Sequence, residues 1–170
     1  MKVVGLDLAG MDENDTGFCL FITPDQDNPL GKCETKLLHS DMDILKEIED
    51  ARPDCIAIDA PLWVPKQGKI AMPWRRSEEL LMKRGFRPVS TTIPTMNMLA
   101  MRAIHLLSVL RERKFRVIEV FSQASEKIFR LSKEPRKNKD EYDALICALT
   151  AKAYLEGRYE DLDGIIIPKE

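Results

Sequence analysis

The sequence predicts one α/β domain built on a mixed β-sheet with helices packed against it, and three features carry that expectation. Three strand-like segments follow one another in hairpin order, then a helix leads to a fourth, which demands a parallel crossover. The first and fourth share a pattern, K-V-V-G-L-D-L-A (Lys2 to Ala9) and C-I-A-I-D-A (Cys55 to Ala60): apolar runs with one aspartate near the exit. Finally, N-K-D-E-Y-D-A-L-I-C-A-L-T-A-K-A-Y (Asn138 to Tyr154) combines helix-start chemistry with apolar residues at every position from Ala144 to Leu149. Such a helix is buried on most sides.

Each element has its own signal. After the first strand and the polar turn Gly10 to Asp15, T-G-F-C-L-F-I-T (Thr16 to Thr23) reads as the second strand. Pro24, Asn28, Pro29 and Gly31 supply turn chemistry. Cys33 to His39 alternates in polarity, as a sheet edge does. Ser40 or Asp41 can cap a helix from about Met42 to Arg52 with Ile44, Leu45 and Ile48 inward, and Pro53 stops it. The loop Pro61 to Pro73 precedes a short helix, Trp74 to Arg84. Thr95 can cap a long helix, Met96 to Lys114, whose Met98, Leu99, Met101, Ile104, Leu107 and Leu110 predict a wide buried face. Val117 to Phe121 (V-I-E-V-F) is the fifth strand, carrying Glu119. A helix from Gln123 to Leu131 and the polar run K-E-P-R-K-N-K then deliver the Asn138 helix, with Glu141 placed to reach back to the cap. The tail D-G-I-I-I-P can add a short strand.

Length and composition exclude several classes. With 170 residues, 44% apolar and 32% charged, the chain is read as a single domain over 1–170, with no repeat or linker. No apolar run approaches the roughly 20 residues that span a bilayer, so no membrane partner is expected. Cys19, Cys33, Cys55 and Cys147 form no C-x-x-C pair and read as reduced thiols, which with the absence of a signal-peptide pattern sets a cytoplasmic expectation. Charge is unevenly spread: residues 1–60 hold 14 Asp/Glu against 5 Lys/Arg, and residues 61–116 hold 3 against 12. The halves can pair with each other, or set acidic groups beside a basic surface that holds a polyanion.

The carboxylates carry the chemistry. Asp7 and Asp59 stand at strand exits, Glu119 lies within the fifth strand, and Asp140 and Asp143 share one helical face at i,i+3. Each has a structural alternative, as a turn cap, a strand residue or a helix-start anion. Gathered together, several carboxylates need protons or a divalent cation to coexist, and an all-oxygen set favours Mg2+ or Mn2+. Two such ions about 4 Å apart can clamp the attacking and leaving oxygens of a phosphodiester displacement.

The segments M-K-V-V-G-L-D, C-I-A-I-D-A-P-L, V-I-E-V-F and K-D-E-Y-D-A-L-I-C-A-L-T-A, in this order, resemble domain-of-unknown-function family 429. These are predicted nucleases with a ribonuclease H-like fold, related in architecture to RuvC-type Holliday-junction resolvases. The resemblance spans nearly the whole chain and implies a five-stranded mixed sheet in the order 3-2-1-4-5, flanked by helices. It also implies that Asp7, Asp59, Asp140 and Asp143 correspond to the resolvases' acidic residues. On this reading Asp7 bridges two Mg2+ or Mn2+ ions, Asp59 and Asp143 hold one each, Asp140 assists and Glu119 is a further ligand. Two departures stand out: the resolvases usually carry Glu where this chain has Asp59. The family also often has proline shortly after its fifth-strand glutamate, where this chain has Phe121 and Ser122.

The expected function is metal-dependent, endonuclease-type hydrolysis of nucleic acid; the alternative is a non-catalytic module of the same fold that binds nucleic acid or a protein. Arg75, Arg76, Lys83, Arg84 and Arg87 are candidate phosphate contacts or a solvated helix face. Trp63 and Trp74 can stack on bases or anchor the core, and His39 and His105 read as packing residues. No glycine-rich phosphate loop and no nucleophile elbow is present. Met72, Met96 and the apolar tail are candidates for a homodimer face.

Overall fold

Alternation along each strand decides which residues meet which helix layer. The computed structural model describes residues 1–26, 31–65, 74–130 and 138–169, with β1 (Lys2–Asp7) inside the sheet. Val4 and Leu6 point to one face and Val3 to the other. β2 (Thr16–Ile22) and β3 (Lys32–Leu38) follow as antiparallel neighbours. Helix α1 (Asp41–Ala51) crosses to β4 (Cys55–Ile58), which pairs parallel with β1 and sets Ile58 opposite Leu6. The Ser40 hydroxyl accepts the Asp43 N–H at 3.1 Å, and Ile44 and Ile48 are fully buried.

β5 (Val117–Val120) pairs parallel with β4, which completes the order 3-2-1-4-5. The sheet continues beyond it. β6 (Tyr159–Leu162) and β7 (Ile165–Pro168) form a hairpin whose β7 joins β5 in parallel, giving seven strands ordered β3-β2-β1-β4-β5-β7-β6. Its turn residues Asp163 and Gly164 both take positive φ, 56° and 102°, the hand that suits a two-residue hairpin. The tail therefore contributes to the sheet, and Ile165, Ile166 and Ile167 are buried there, not presented as a dimer face. Met96 is half-buried, and Met72 lies outside the described residues. So do most of the basic loop before Trp74 and most of the polar run before Asn138.

Four more helices complete the layers: α2 (Arg76–Lys83), α3 (Pro94–Glu112), α4 (Ser122–Phe129) and α5 (Lys139–Leu155). α1 and α3 cover the face of Val4, Leu6, Ile56 and Ile58. α5 covers the face of Val3, Cys19 and Ala57. α3 starts one residue before Thr95, because Pro94 brings its fixed φ to the first helical position. Its buried stripe is narrower than the sequence suggests: Met98 and Met101 are half-exposed while Ala100, Ala103, Leu106 and Leu110 pack inward. His105 is exposed too. Cys19, Cys55 and Cys147 are buried, Cys33 is exposed, and all four thiols are free. Among the described residues no helix is long and apolar enough to cross a membrane.

α5 lies against bare backbone. A Cβ on Gly5 would sit 2.0 Å from the Ala144 carbonyl oxygen and 2.3 Å from the Ala148 nitrogen, and one on Gly17 would sit 1.9 Å from the Asp140 carbonyl oxygen. Neither helix backbone nor central strand can yield cheaply. Gly5→Ala is expected to destabilise the protein by at least about 2 kcal/mol, read from urea denaturation. A loss within the ordinary surface range of about 0.5 kcal/mol would show that helix and sheet separate freely.

Candidate metal centre

Strand parity and one parallel register bring the first two carboxylates together. Asp7 ends β1, Asp59 directly follows β4, and the Asp59 N–H donates to the Leu6 carbonyl at 2.9 Å. The pairing of Leu6 with Ile58 thus extends to Asp7 beside Asp59, on neighbouring strands about 4.8 Å apart. Both alternate with Leu6 and Ile58, so both face the α5 layer. Asp7 is also the register partner of Gly17, against which the Asp140 carbonyl rests. The missing side chain at Gly17 lets the first turn of α5 cross directly over the end of β1.

α5 begins as its sequence indicates. The Asn138 side chain accepts the N–H groups of Asp140 at 2.8 Å and Glu141 at 3.1 Å. Glu141 turns outward, where its carboxylate accepts from the Thr35 hydroxyl at 2.5 Å, in place of reaching back to the cap. Asp143, one turn in, is buried, whereas Asp140 remains half-exposed. Lys139, the first helical residue, reaches Asp143 Oδ2 with its Nζ at 2.9 Å, an i,i+4 pair at the rim.

Burial and neighbouring charge perturb two of these carboxyls. Burial, then the charges of Asp59 and Asp143, push the Asp7 carboxyl up to about 7, with Lys139 opposing and Asp140 adding a smaller push. Asp59 is pushed up to about 6, again chiefly by burial. Hydrogen bonds from Ser122 oppose that rise, one of them from its backbone N–H at 3.3 Å, while the charges of Asp143 and, less, Glu119 add to it. Cys147, on the next turn of α5 above this cluster, has its thiol raised well above the usual range by burial and by Asp59, Asp7 and Asp143. Asp7, Asp59, Asp143 and Asp140 therefore lie near one another, with the Lys139 ammonium beside them among the described residues.

Glu119 is elsewhere. Its register partner on β4 is Ile58, which faces the opposite helix layer from Asp59, so alternation turns Glu119 away from the cluster. There its two oxygens receive the Arg75 guanidinium at 2.7 and 3.0 Å, and Oε2 also accepts the Leu62 N–H at 2.8 Å. Arg75 in turn donates to Glu78 at 2.8 Å and reaches the Trp63 carbonyl at 3.4 Å. Arg75 is only 3% exposed. The candidate ligand Glu119 and the candidate phosphate contact Arg75 are thus one buried ion pair, formed across 44 residues. Arg76, Lys83, Arg84 and Arg87 are exposed, Arg84 being paired with Glu160. Trp63 is part-exposed, its ring 5.5 Å from the Arg75 guanidinium. His39 is exposed, 3.5 Å from Asp15.

The donor chemistry of the cluster suits a hard divalent cation: oxygen ligands only, mutually repelling, at the mouth of a sheet. Among the described residues no group of three or more His, Cys, Asp or Glu side chains is placed so that it could hold a metal ion. Lys139 and Ser122 are the partners that motif reading missed. Lys139 was legible as the i,i+4 neighbour of Asp143; Ser122 needed the β4–β5 register.

A mixed sheet of this order, layered by helices on both faces, defines a ribonuclease H-like α/β domain. Solved structures with this architecture include RuvC of Thermus thermophilus, with a TM-score of 0.50 at 15% identity over 92% of this chain and 97% of that one. The same protein in complex with its Holliday junction substrate gives 0.48 at 17% identity, covering 92% and 96%. Fowlpox virus resolvase, in complex with Holliday junction DNA, gives 0.44 at 11%, covering 92% and 98%. At such identities the likeness is one of fold. No family model matches the chain, and no curated protein does.

Two outcomes follow from the charges. Without metal, the folded state holds a proton on Asp7 between its unfolded value of 3.8 and about 7, so stability falls as pH rises through that window. Asp7→Asn should remove the penalty, raising metal-free stability by at most about 4 kcal/mol at pH 8 and far less at pH 4, measured by denaturation at both. Breaking the other constellation has the opposite sign: Glu119→Gln strands Arg75 and should cost about 3–5 kcal/mol at neutral pH, read from urea denaturation.

Proposed function

We propose that this chain is a divalent-metal-dependent nuclease that hydrolyses phosphodiester bonds of nucleic acid, as the resemblance to domain-of-unknown-function family 429 implies. The observation that carries this reading is the gathering of Asp7, Asp59 and Asp143 near the end of β1, where the charges of Asp59 and Asp143 raise the Asp7 carboxyl and that of Asp143 raises Asp59. Asp7 and Asp59 would hold the cation from the sheet and Asp143 from the helix, with Asp140 at the rim. Bound Mg2+ or Mn2+ supplies a hydroxide at neutral pH and stabilises the leaving oxygen. The chain's own residues do the rest. The Ser122 N–H orients the Asp59 carboxylate, and the ammonium of exposed Lys139 lies within reach of a phosphate approaching the cluster. Arg76, Lys83 and Arg87 offer further phosphate contacts from α2 and the residues after it.

One observation favours a second reading. Lys139 already neutralises Asp143, and a non-catalytic nucleic-acid-binding domain would keep that pair and leave the carboxylates metal-free. Calorimetric titration with Mn2+ and Mg2+ separates the two. The nuclease reading expects binding by the native protein that Asp7→Asn removes, and metal-dependent cleavage of nucleic acid that Asp143→Asn lowers by at least about 100-fold. Absence of metal binding at millimolar concentration, with nucleic-acid binding retained in Asp143→Asn, would select the non-catalytic module.

A further inference from the structure

A second charged concavity lies on the far flank of the sheet. About 440 Å³ in volume, it is framed by the residues that end α2, the last turn of α4 and the β6–β7 hairpin. Arg84, Lys127, Arg130 and Lys169 line it, and its acidic lining residue, Glu160, is paired with Arg84. These cations come from three segments remote in sequence, in a chain whose net charge is −2. Like charges gathered from separate elements repel, and an anion in the concavity relieves the repulsion. Its wall is also aromatic. Phe86 faces the space, with the Lys127 ammonium 5.3 Å from its ring centre.

The wall shares its side of the sheet with Glu119: Ile165 is the register partner of Glu119, and Ile167, which lines the concavity, has the same parity. Phe86 meets Phe121 edge-on at 6.1 Å, and the residue after Phe121 is Ser122, whose N–H donates to Asp59. Parallel pairing of Val120 with Ile166 places Lys169 beyond the end of β5, on the edge of the sheet where Asp59 emerges from β4. We infer that this concavity binds a phosphodiester strand, its phosphates on Lys127, Lys169 and Arg84 and a base against Phe86, at the same C-terminal end of the parallel strands as the carboxylate cluster. The inference rests on the nucleic-acid reading above and adds the surface that holds the substrate away from the reacting bond. A strand fits better than a small anion because cations on three elements around an open space match repeated phosphates, while the aromatic wall matches a base.

The test is binding of a fluorescent oligonucleotide, followed by anisotropy over a salt series in chelator, so that metal binding plays no part. Lys127→Glu with Lys169→Glu should weaken binding by at least about tenfold and flatten the slope of log K against log salt by about 1–2. Lys127→Arg with Lys169→Arg should bind like the native protein, which separates lost charge from lost folding. Unchanged affinity and slope in the Glu variant would overturn the proposal, as would a mononucleotide or inorganic phosphate competing as tightly as the strand. Failure of the native protein to bind any oligonucleotide in chelator would also overturn it, while the metal titration at Asp7 would still report separately on the cluster.

Discussion

Everything at the candidate centre depends on backbone touching backbone where α5 crosses β1 and β2. Gly5 and Gly17 leave no side chain between helix and sheet, so the Ala144 and Asp140 carbonyls descend to where a Cβ would otherwise stand. A helix held that close cannot slide along the strand or rotate about its axis without a clash. Asp143 is thereby delivered to the end of β1 in a fixed orientation, and Asp59 reaches the same point through the parallel pairing of β4. Among the described residues, two packed elements and one register bring these carboxylates near each other.

That rigidity holds together groups that repel. Asp7 and Asp59 are each half-buried with like charges alongside, and their carboxyls are pushed up to about 7 and about 6. Packing supplies what the charges subtract: α5 contributes Ala144, Cys147, Ala148 and Ala151 to the core against Val3, Cys19 and Ala57. Small residues line this interface because only they fit the close approach. A local conflict of this kind, sustained by well-packed surroundings, marks a place where something other than stability shaped the sequence.

Much of this was legible from the residues alone. Hairpin order, the crossover through α1 and the Asn138 cap each have local signals, and strand-exit aspartates stand out against apolar runs. What escaped notice is mostly non-local. The β6 strand contains Glu160 and Asp161 and shows no apolar alternation; only its Asp163–Gly164 turn marks a hairpin. Arg75 looks like surface charge because its partner Glu119 lies 44 residues away. Alternation could have set Glu119 aside: it aligns with Ile58, not Asp59, once the β4–β5 register is known. Gly5 and Gly17 read as ordinary strand glycines until a helix is laid on them.

The Arg75–Glu119 pair has a bearing on how such a protein can diversify. Glu119 holds the Leu62 N–H on one side and the Arg75 guanidinium on the other, and Arg75 also reaches the Trp63 carbonyl. Beyond the end of β4 the chain passes Leu62 and Trp63 and enters α2 at Arg75, and Glu119 and Arg75 tie these two points together independently of the length between them. Closing a longer loop between fixed ends costs only about 0.6 kcal/mol per doubling. A change of length or charge between residues 64 and 74 is therefore expected to leave the clamp, and the β4–β5 pairing beside it, in place.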